Sequence, residues 1–299
     1  MKTTDSIAFG FYNGLGDIVS DLPVINEFIQ KDFFVEIFVY EWLKDFTAYL
    51  FPKASVKTVK NSKDIKNISL KSEQFFLTPN YLHKFSYSKT SFLSYLLKSF
   101  LLKTKVKKLI ASDAKTVLYY TFDIKKTYLD AHFFDMSYSL IKKHFDICIK
   151  EKEKKSSKIK QLCLFPFSGR EQKDYPQERF LTLLEMLKDE IDIKVFVQEK
   201  DRCRLDKRFF DYDVESKSLT DLTDFLNEEK LVLANDSGPA HLGAIKGAKV
   251  IVLYLATDSK KYMPKGDVEA LDLRNGLQNS EKMIHSMIKK SLSLGKRQN

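Results

Sequence analysis

The chain has 299 residues, 43% of them apolar and 30% charged, and a formal net charge of +10. That size suits two domains or one large one, and the composition excludes a chain disordered throughout. Three widely spaced cysteines, Cys148, Cys163 and Cys203, argue against a disulfide framework and a zinc site, and no run approaches the roughly 18 apolar residues of a membrane-spanning helix.

The first five residues lead into a strand-like run with no apolar signal region. Residues 7–12 read as a buried strand that breaks at Asn13-Gly14-Leu15-Gly16. The apolar spacing of Leu22, Ile25, Phe28 and Ile29 predicts a helix over 19–31. A second strand is expected over 33–40, a helix over 42–51, and short strands over 55–59 and 74–77. Strands alternating with helices imply βαβ units around a parallel sheet. Between 90 and 109 the pattern changes. Phe92, Leu93, Leu96, Leu97, Phe100 and Leu101 form a helical apolar stripe, and lysines 98, 103, 105, 107 and 108 crowd its end. A strand is expected over 116–121 and a helix near 136–145. Residues 151–160, dense in lysine, glutamate and serine, read as an interdomain linker. The expected domains are therefore 1–150 and 151–299.

The second half restarts the alternation, with strands over 161–166, 193–198, 231–234 and 250–255. Helices are expected over 177–189 and 219–228, with a short one ending near Ala244. A last helix, over 280–292, packs within its own half or returns to the first. The charge is local. Residues 51–110 hold 13 lysines, no arginine and two acids, Asp64 and Glu73, a net of +11, while the other 239 residues sum to −1. Such a segment suits an anionic partner, or is a solvated lysine-rich face. The lack of arginine for base-edge readout argues against nucleic acid.

Three loops carry chemistry, each after a predicted strand, where open α/β sheets place ligands. The first is Asn13-Gly14-Leu15-Gly16-Asp17, running on to Pro23. Its glycines permit a sharp turn and close backbone approach. Val19 at the third glycine position argues against a dinucleotide fingerprint. Asp17 is a candidate general base, or a helix-start acid favoured by the dipole. The second runs from Pro166 through Phe167, Ser168, Gly169, Arg170, Lys173 and Asp174 to Tyr175 and Pro176. Its cations beside a helix start make a phosphate site, or a solvent-exposed basic loop. The third is Asn235-Asp236-Ser237-Gly238-Pro239-Ala240-His241-Leu242. Backbone N–H groups there suit a diphosphate; in the plainer alternative Asp236 caps the helix.

The third loop and its continuation, NDSGPAHLGAIKGAKVIVLYLATD (residues 235–258), resemble the NDSGPxHLAAAxGxPxVxLFGPT signature of the heptosyltransferases, glycosyltransferase family 9. The stretch from Lys260 through Tyr262 and Pro264 to Gly266 is similar to that family's basic-aromatic-x-P-x-G segment. The second loop resembles its HPGxxxxxKRWPxExF segment at Lys173, Tyr175, Pro176, Glu178 and Phe180. The first resembles its GxGDxxxxxP start at Gly14, Gly16, Asp17 and Pro23. The resemblance implies an α/β chain of GT-B type, two Rossmann-like domains facing across a cleft, acceptor bound by the first and nucleotide-sugar by the second. It implies an inverting, metal-independent transfer with no cofactor. Asp17 would be the base and Asn13, Gly14 and Gly16 its acceptor-side loop. Lys173 would pair with the donor phosphates, with Asp236, Ser237, Gly238 and His241 around diphosphate and sugar. Ser168 and Arg170 are assigned to the same donor side, and Glu199 to the ribose.

Departures fall around the expected nucleotide and sugar. Phe167-Ser168 stands where the family has a glycine-small pair, Asp174 replaces a basic residue, and Tyr254-Leu255-Ala256 replaces FGP. Heptose from ADP-heptose onto a lipopolysaccharide-type surface glycan is the family default. A UDP- or GDP-sugar donor, or a non-catalytic nucleotide- or glycan-binding role, are the rivals. The expected location is cytoplasmic, at the inner face of the membrane. Residues 92–108 would meet an anionic membrane or a phosphorylated lipid acceptor, or form a domain-packing helix with a solvated end.

Overall fold

The computed structural model describes residues 5–12, 14–60, 68–77, 105, 107–110, 133–145, 147 and 157–294. The chain divides into two compact units, Met1–Lys150 and Glu151–Asn299. Asn13, Cys148, the helical stripe at 92–101, the strand expected over 116–121 and the linker residues 151–156 lie outside the described residues.

In the first unit the described elements are β1 (Ser6–Tyr12), α1 (Leu15–Gln30), β2 (Phe34–Tyr40), α2 (Lys44–Leu50), β3 (Ser55–Val59), β4 (Gln74–Leu77), β5 (Lys108–Ile110) and α3 (Phe133–Phe145). The five strands pair in the order β3-β2-β1-β4-β5, all parallel. Ile7, Ala8 and Phe9 of β1 and Val35, Ile37, Phe38 and Val39 of β2 are buried, side chains of both faces. Continuous apolar runs of this kind suit strands of a parallel sheet covered on both faces. Phe28 of α1 meets Phe9, Phe33 and Phe145 edge-on, with ring centroids 5.5, 5.0 and 4.8 Å apart.

Two expectations are corrected here. Helix α1 begins at Leu15 rather than Val19, so Gly16 and Asp17 stand inside its first turn. The buried side chains of Leu15 and Ile18 draw that turn into the helix and override the low helix propensity of Gly16. Lys108 does not end a helix. It opens β5, where Gln74 pairs with Lys108 and Phe76 with Ile110.

In the second unit the elements are β6 (Gln161–Phe165), α4 (Gln177–Leu187), β7 (Asp192–Phe196), β8 (Asp213–Glu215), α5 (Leu219–Phe225), β9 (Lys230–Asn235), α6 (Gly238–Ile245), β10 (Lys249–Tyr254), α7 (Ser259–Tyr262), β11 (Val268–Asp272) and α8 (Ser280–Leu294). The sheet order is β11-β10-β9-β6-β7-β8, again parallel throughout. Leu183, Leu184 and Leu187 of α4 share one core with Ile284 and Ile288 of α8. Arg179 donates to Glu281 at 2.7 Å and Lys289 to Glu190 at 2.6 Å, so the last helix is bound within the second unit.

Counted from its own first strand, each sheet carries the Rossmann order 3-2-1-4-5, with a sixth strand in the second. The chain therefore reverses direction across the sheet between β1 and β4, and between β6 and β9. Open α/β sheets bind ligands at the carboxyl ends of such strand pairs. The three loops singled out from the sequence leave β1, β6 and β9.

Candidate functional site

At the carboxyl end of β1, Gly14 is the N-cap of α1 in an extended conformation, and Asp17 stands three residues on. The half-buried Asp17 carboxylate folds back over the turn. A Cβ at position 14 would lie 3.1 Å from its Oδ2, so glycine is what lets the carboxylate lie there. Below it, the Tyr12 hydroxyl donates to Asp21 Oδ2 at 2.8 Å, both residues being buried. Of the expected acceptor-side residues, Gly14, Gly16 and Asp17 share this turn, and Asn13 is not described.

In the second unit the two loops meet. Lys173 lies in a one-turn 3-10 helix, Glu171–Lys173, and its Nζ stands 2.5 Å from Asp236 Oδ2. The Thr257 hydroxyl donates to the same oxygen at 2.5 Å. Asn235, fully buried at the end of β9, fastens the loops together. Its Oδ1 accepts from the Tyr175 backbone N–H at 3.0 Å and its Nδ2 donates to the Pro166 carbonyl at 2.8 Å. Tyr175 in turn shares a 2.6 Å hydrogen bond with Ser280 of α8. Burial, then the charge of Asp236, pushes the Tyr254 hydroxyl well above its usual range, so it stays a neutral phenol beside the cluster.

The reading of Asp236 as a helix cap is corrected. Ser237 is the N-cap of α6 and its side chain makes no cap bond; the Asp236 carboxylate is engaged by Lys173 and Thr257 instead. The Ser237 hydroxyl is buried without a hydrogen-bond partner among the described residues. Gly238, Pro239, Ala240 and His241 form the first turn, whose dipole and Gly238 N–H suit an anion, Pro239 having no N–H and Ala240 donating its own to the Ser237 carbonyl at 3.2 Å. Gly243 lets this helix pack close on the sheet, because a Cβ there would sit 2.9 Å from Val232 Cγ2.

The remaining predicted residues stand around this cluster. Ser168 ties its own loop: its N–H donates to Asp174 Oδ1 at 2.6 Å and its hydroxyl to the Arg170 carbonyl at 2.7 Å. Arg170 is exposed on that loop. Glu199 is exposed in the turn that follows β7, beside the end of β6. The sequence reading passes over Thr257, Asn235 and the pair Tyr12–Asp21. It also passes over Arg204, whose guanidinium lies 4.7 Å from the Phe167 ring centroid and 3.4 Å from Asp174. Thr257 matches the threonine of the family's GPT and Asn235 opens the NDSGP motif, whereas Tyr12, Asp21 and Arg204 had no motif to mark them.

The family model for glycosyltransferase family 9 (heptosyltransferase) matches residues 98–290, about two thirds of the chain. The chain belongs to glycosyltransferase family 9. Solved structures carry the same fold over nearly the whole length. The E. coli heptosyltransferase WaaC with ADP superposes with a TM-score of 0.70 at 15% identity, over 96% of this chain and 99% of that one. The E. coli ADP-heptose lps heptosyltransferase II gives 0.62 at 12%, over 98% and 100%. A family 9 glycosyltransferase from Veillonella parvula DSM 2008 gives 0.62 at 16%, over 98% and 94%. No curated protein sequence matches the chain. This family 9 glycosyltransferase is thus an α/β protein of the GT-B class, with two parallel-sheet units.

Proposed function

We propose that this glycosyltransferase moves a sugar from a nucleotide diphosphate donor to a surface-glycan acceptor, with inversion and without a metal. The second unit is the donor domain on this reading, and the first the acceptor domain. The observation that carries it is the meeting of Lys173 and Asp236 at the start of α6. A family 9 structure, WaaC, is described with ADP, which favours an adenosine diphosphate sugar, heptose by default, over a UDP- or GDP-sugar.

In the reaction Asp17 takes the proton of the acceptor hydroxyl. That oxygen bonds to the anomeric carbon as the bond from this carbon to the diphosphate oxygen breaks. The leaving diphosphate gains negative charge as it departs. Lys173 and the Gly238 N–H at the start of α6 stabilise that charge, and fixed donors aimed at developing charge are a large catalytic term. Asp236, itself steadied by the Thr257 hydroxyl, holds Lys173 rather than touching the phosphates, since a carboxylate would repel them. Ser237 offers its hydroxyl to the diphosphate, and His241 faces the sugar. Arg170 and Ser168 border the phosphates and Glu199 takes the ribose. A lipopolysaccharide-type acceptor and a location at the inner face of the cytoplasmic membrane complete the reading. No helix among the described residues is long and apolar enough to cross a membrane.

The test is acceptor-dependent release of ADP from ADP-heptose in the presence of EDTA, with heptose-free lipopolysaccharide core as acceptor. Transfer that survives EDTA and disappears in Asp17→Ala supports the reading. Release of UDP or GDP from the corresponding sugars, with none from ADP-heptose, transfers it to the other donors.

A further inference from the structure

The first unit holds a buried carboxylate that the proposed reaction leaves unused. Asp21, in the middle of α1, is fully buried. Its Oδ2 accepts from the Tyr12 hydroxyl at 2.8 Å, and Tyr12 is itself fully buried at the end of β1. Its Oδ1 has no hydrogen-bond partner among the described residues. Burying a charge with so few partners is costly. Burial pushes the Asp21 carboxyl up to about 6, against the opposing pull of the Tyr12 hydroxyl, with the Ser137 hydroxyl buried nearby but making no hydrogen bond to it. Ser137 belongs to α3, which packs on α1.

Position makes this carboxylate relevant to Asp17. The two are four residues apart on one helix, so they share a face one turn apart. Tyr12 feels both: its hydroxyl is pushed up by burial, then by Asp21, then by the charge of Asp17. Among the described side chains of the elements packed against α1, no other carboxylate is both buried and unpaired. Glu36 of β2 is bound by Lys57 and by the Lys71 and Ser72 backbone N–H groups, and Asp135, Lys142 and His144 of α3 are exposed.

We propose that Asp21, held by the Tyr12 hydroxyl one helical turn beyond Asp17, is a positioning residue that makes Asp17 a stronger proton acceptor. The inference rests on the reading of Asp17 as the base. A like charge one turn away favours the protonated form of Asp17, and so strengthens it as a base. The Tyr12 bond keeps that charge at a fixed place. When Asp21 takes up a proton the support is lost, so the two carboxyls titrate in coupled steps.

The experiment is a pH titration of the full chain with carbon-13 at the aspartate carboxyls. The Asp17 signal is identified by its absence from Asp17→Asn. In the unmodified protein the Asp17 signal is expected to move in two steps, the upper one near the Asp21 transition at about 6. Asp21→Asn leaves a single step. Tyr12→Phe moves the upper step to higher pH, because the hydroxyl that favoured the charged carboxylate is gone. In ADP release from ADP-heptose, Asp21→Asn lowers kcat roughly three- to tenfold with KM unchanged, and the acid limb near the upper step disappears. A single Asp17 step that neither variant moves overturns the proposal. Should Asp21→Asn fail to fold, Tyr12→Phe decides alone, and an unmoved upper step overturns it. Full activity in Asp17→Ala overturns the reading of the base instead, whatever the titration shows.

Discussion

Lys173 and Asp236 lie 63 residues apart in the chain and 2.5 Å apart in space. With the lysine ammonium so held, Lys173→Ala is expected to weaken nucleoside diphosphate binding by about 1.5–3 kcal/mol, the worth of a hydrogen bond to a charged group. Calorimetric titration of ADP checks this, and equal affinity in the variant removes Lys173 from the donor site. Asp21 gives a second expectation. Its folded carboxyl lies near 6 against an ordinary 3.8, so the folded state binds the proton more tightly than the unfolded one. The charge therefore costs stability above that transition, and the cost fades as pH falls toward 4. A carboxyl raised that far costs the fold roughly 3 kcal/mol at pH 7. Asp21→Asn should raise the urea midpoint at pH 7 by up to that amount and by much less at pH 4.5; a lower midpoint at both values would show that the carboxylate stabilises the fold. Lys173, Asp236 and Asp17 were legible because each stands in a segment whose spacing matches a family pattern. Asn235 was quoted with its loop but not as a fastener, since a buried amide bonding two backbone groups leaves no periodic signal. Asp21 belongs to no motif and lies outside the apolar spacing of its helix, yet it is buried.

Among the elements, β2 shows what a strand pattern leaves out. Glu36 interrupts an apolar run, yet it is fully buried. It accepts from Lys57 Nζ at 2.5 Å and from the Lys71 and Ser72 backbone N–H groups at 2.9 and 2.7 Å. These bonds bind the segment entering β4 to β2, a connection no local sequence window contains. Burial works to raise the Glu36 carboxyl, but Lys57 and Ser72 hold it below its usual range. A lowered folded value means its stability contribution is present above the unfolded carboxylate range and is lost as pH falls through the folded one. Glu36→Gln should therefore cost about 1–3 kcal/mol at pH 7 and little at pH 3, read from urea unfolding. Phe28→Ala, which empties the ring cluster between α1, β1 and α3, should cost about 3–5 kcal/mol at either pH. The strand and helix runs were legible from apolar spacing. The start of α1 was not, because contacts of Leu15 and Ile18 with the rest of the unit decide it. Nor was β5, whose three residues carry no strand pattern of their own and pair only because β4 lies beside them.

Across the whole molecule, two sheets with one strand order explain why the motif loops fall where they do. The sequence reveals alternation, but strand order depends on crossovers between distant segments, and no spacing encodes it. The first unit differs from the second in charge, with the lysine-rich stretch at 51–110. On the acceptor reading of that unit, the protein should float with anionic liposomes. A variant with Lys103, Lys105, Lys107 and Lys108 changed to glutamine should not, and equal flotation of the two would leave those lysines a solvated face. The central claim is that Asp17 accepts the acceptor proton while a nucleotide diphosphate departs without a metal. It is met most directly by measuring ADP released from ADP-heptose in EDTA, with and without heptose-free lipopolysaccharide core, for the unmodified chain and Asp17→Ala. Release should require both the acceptor and Asp17. Release that is unchanged in Asp17→Ala, or that EDTA abolishes, would contradict that claim.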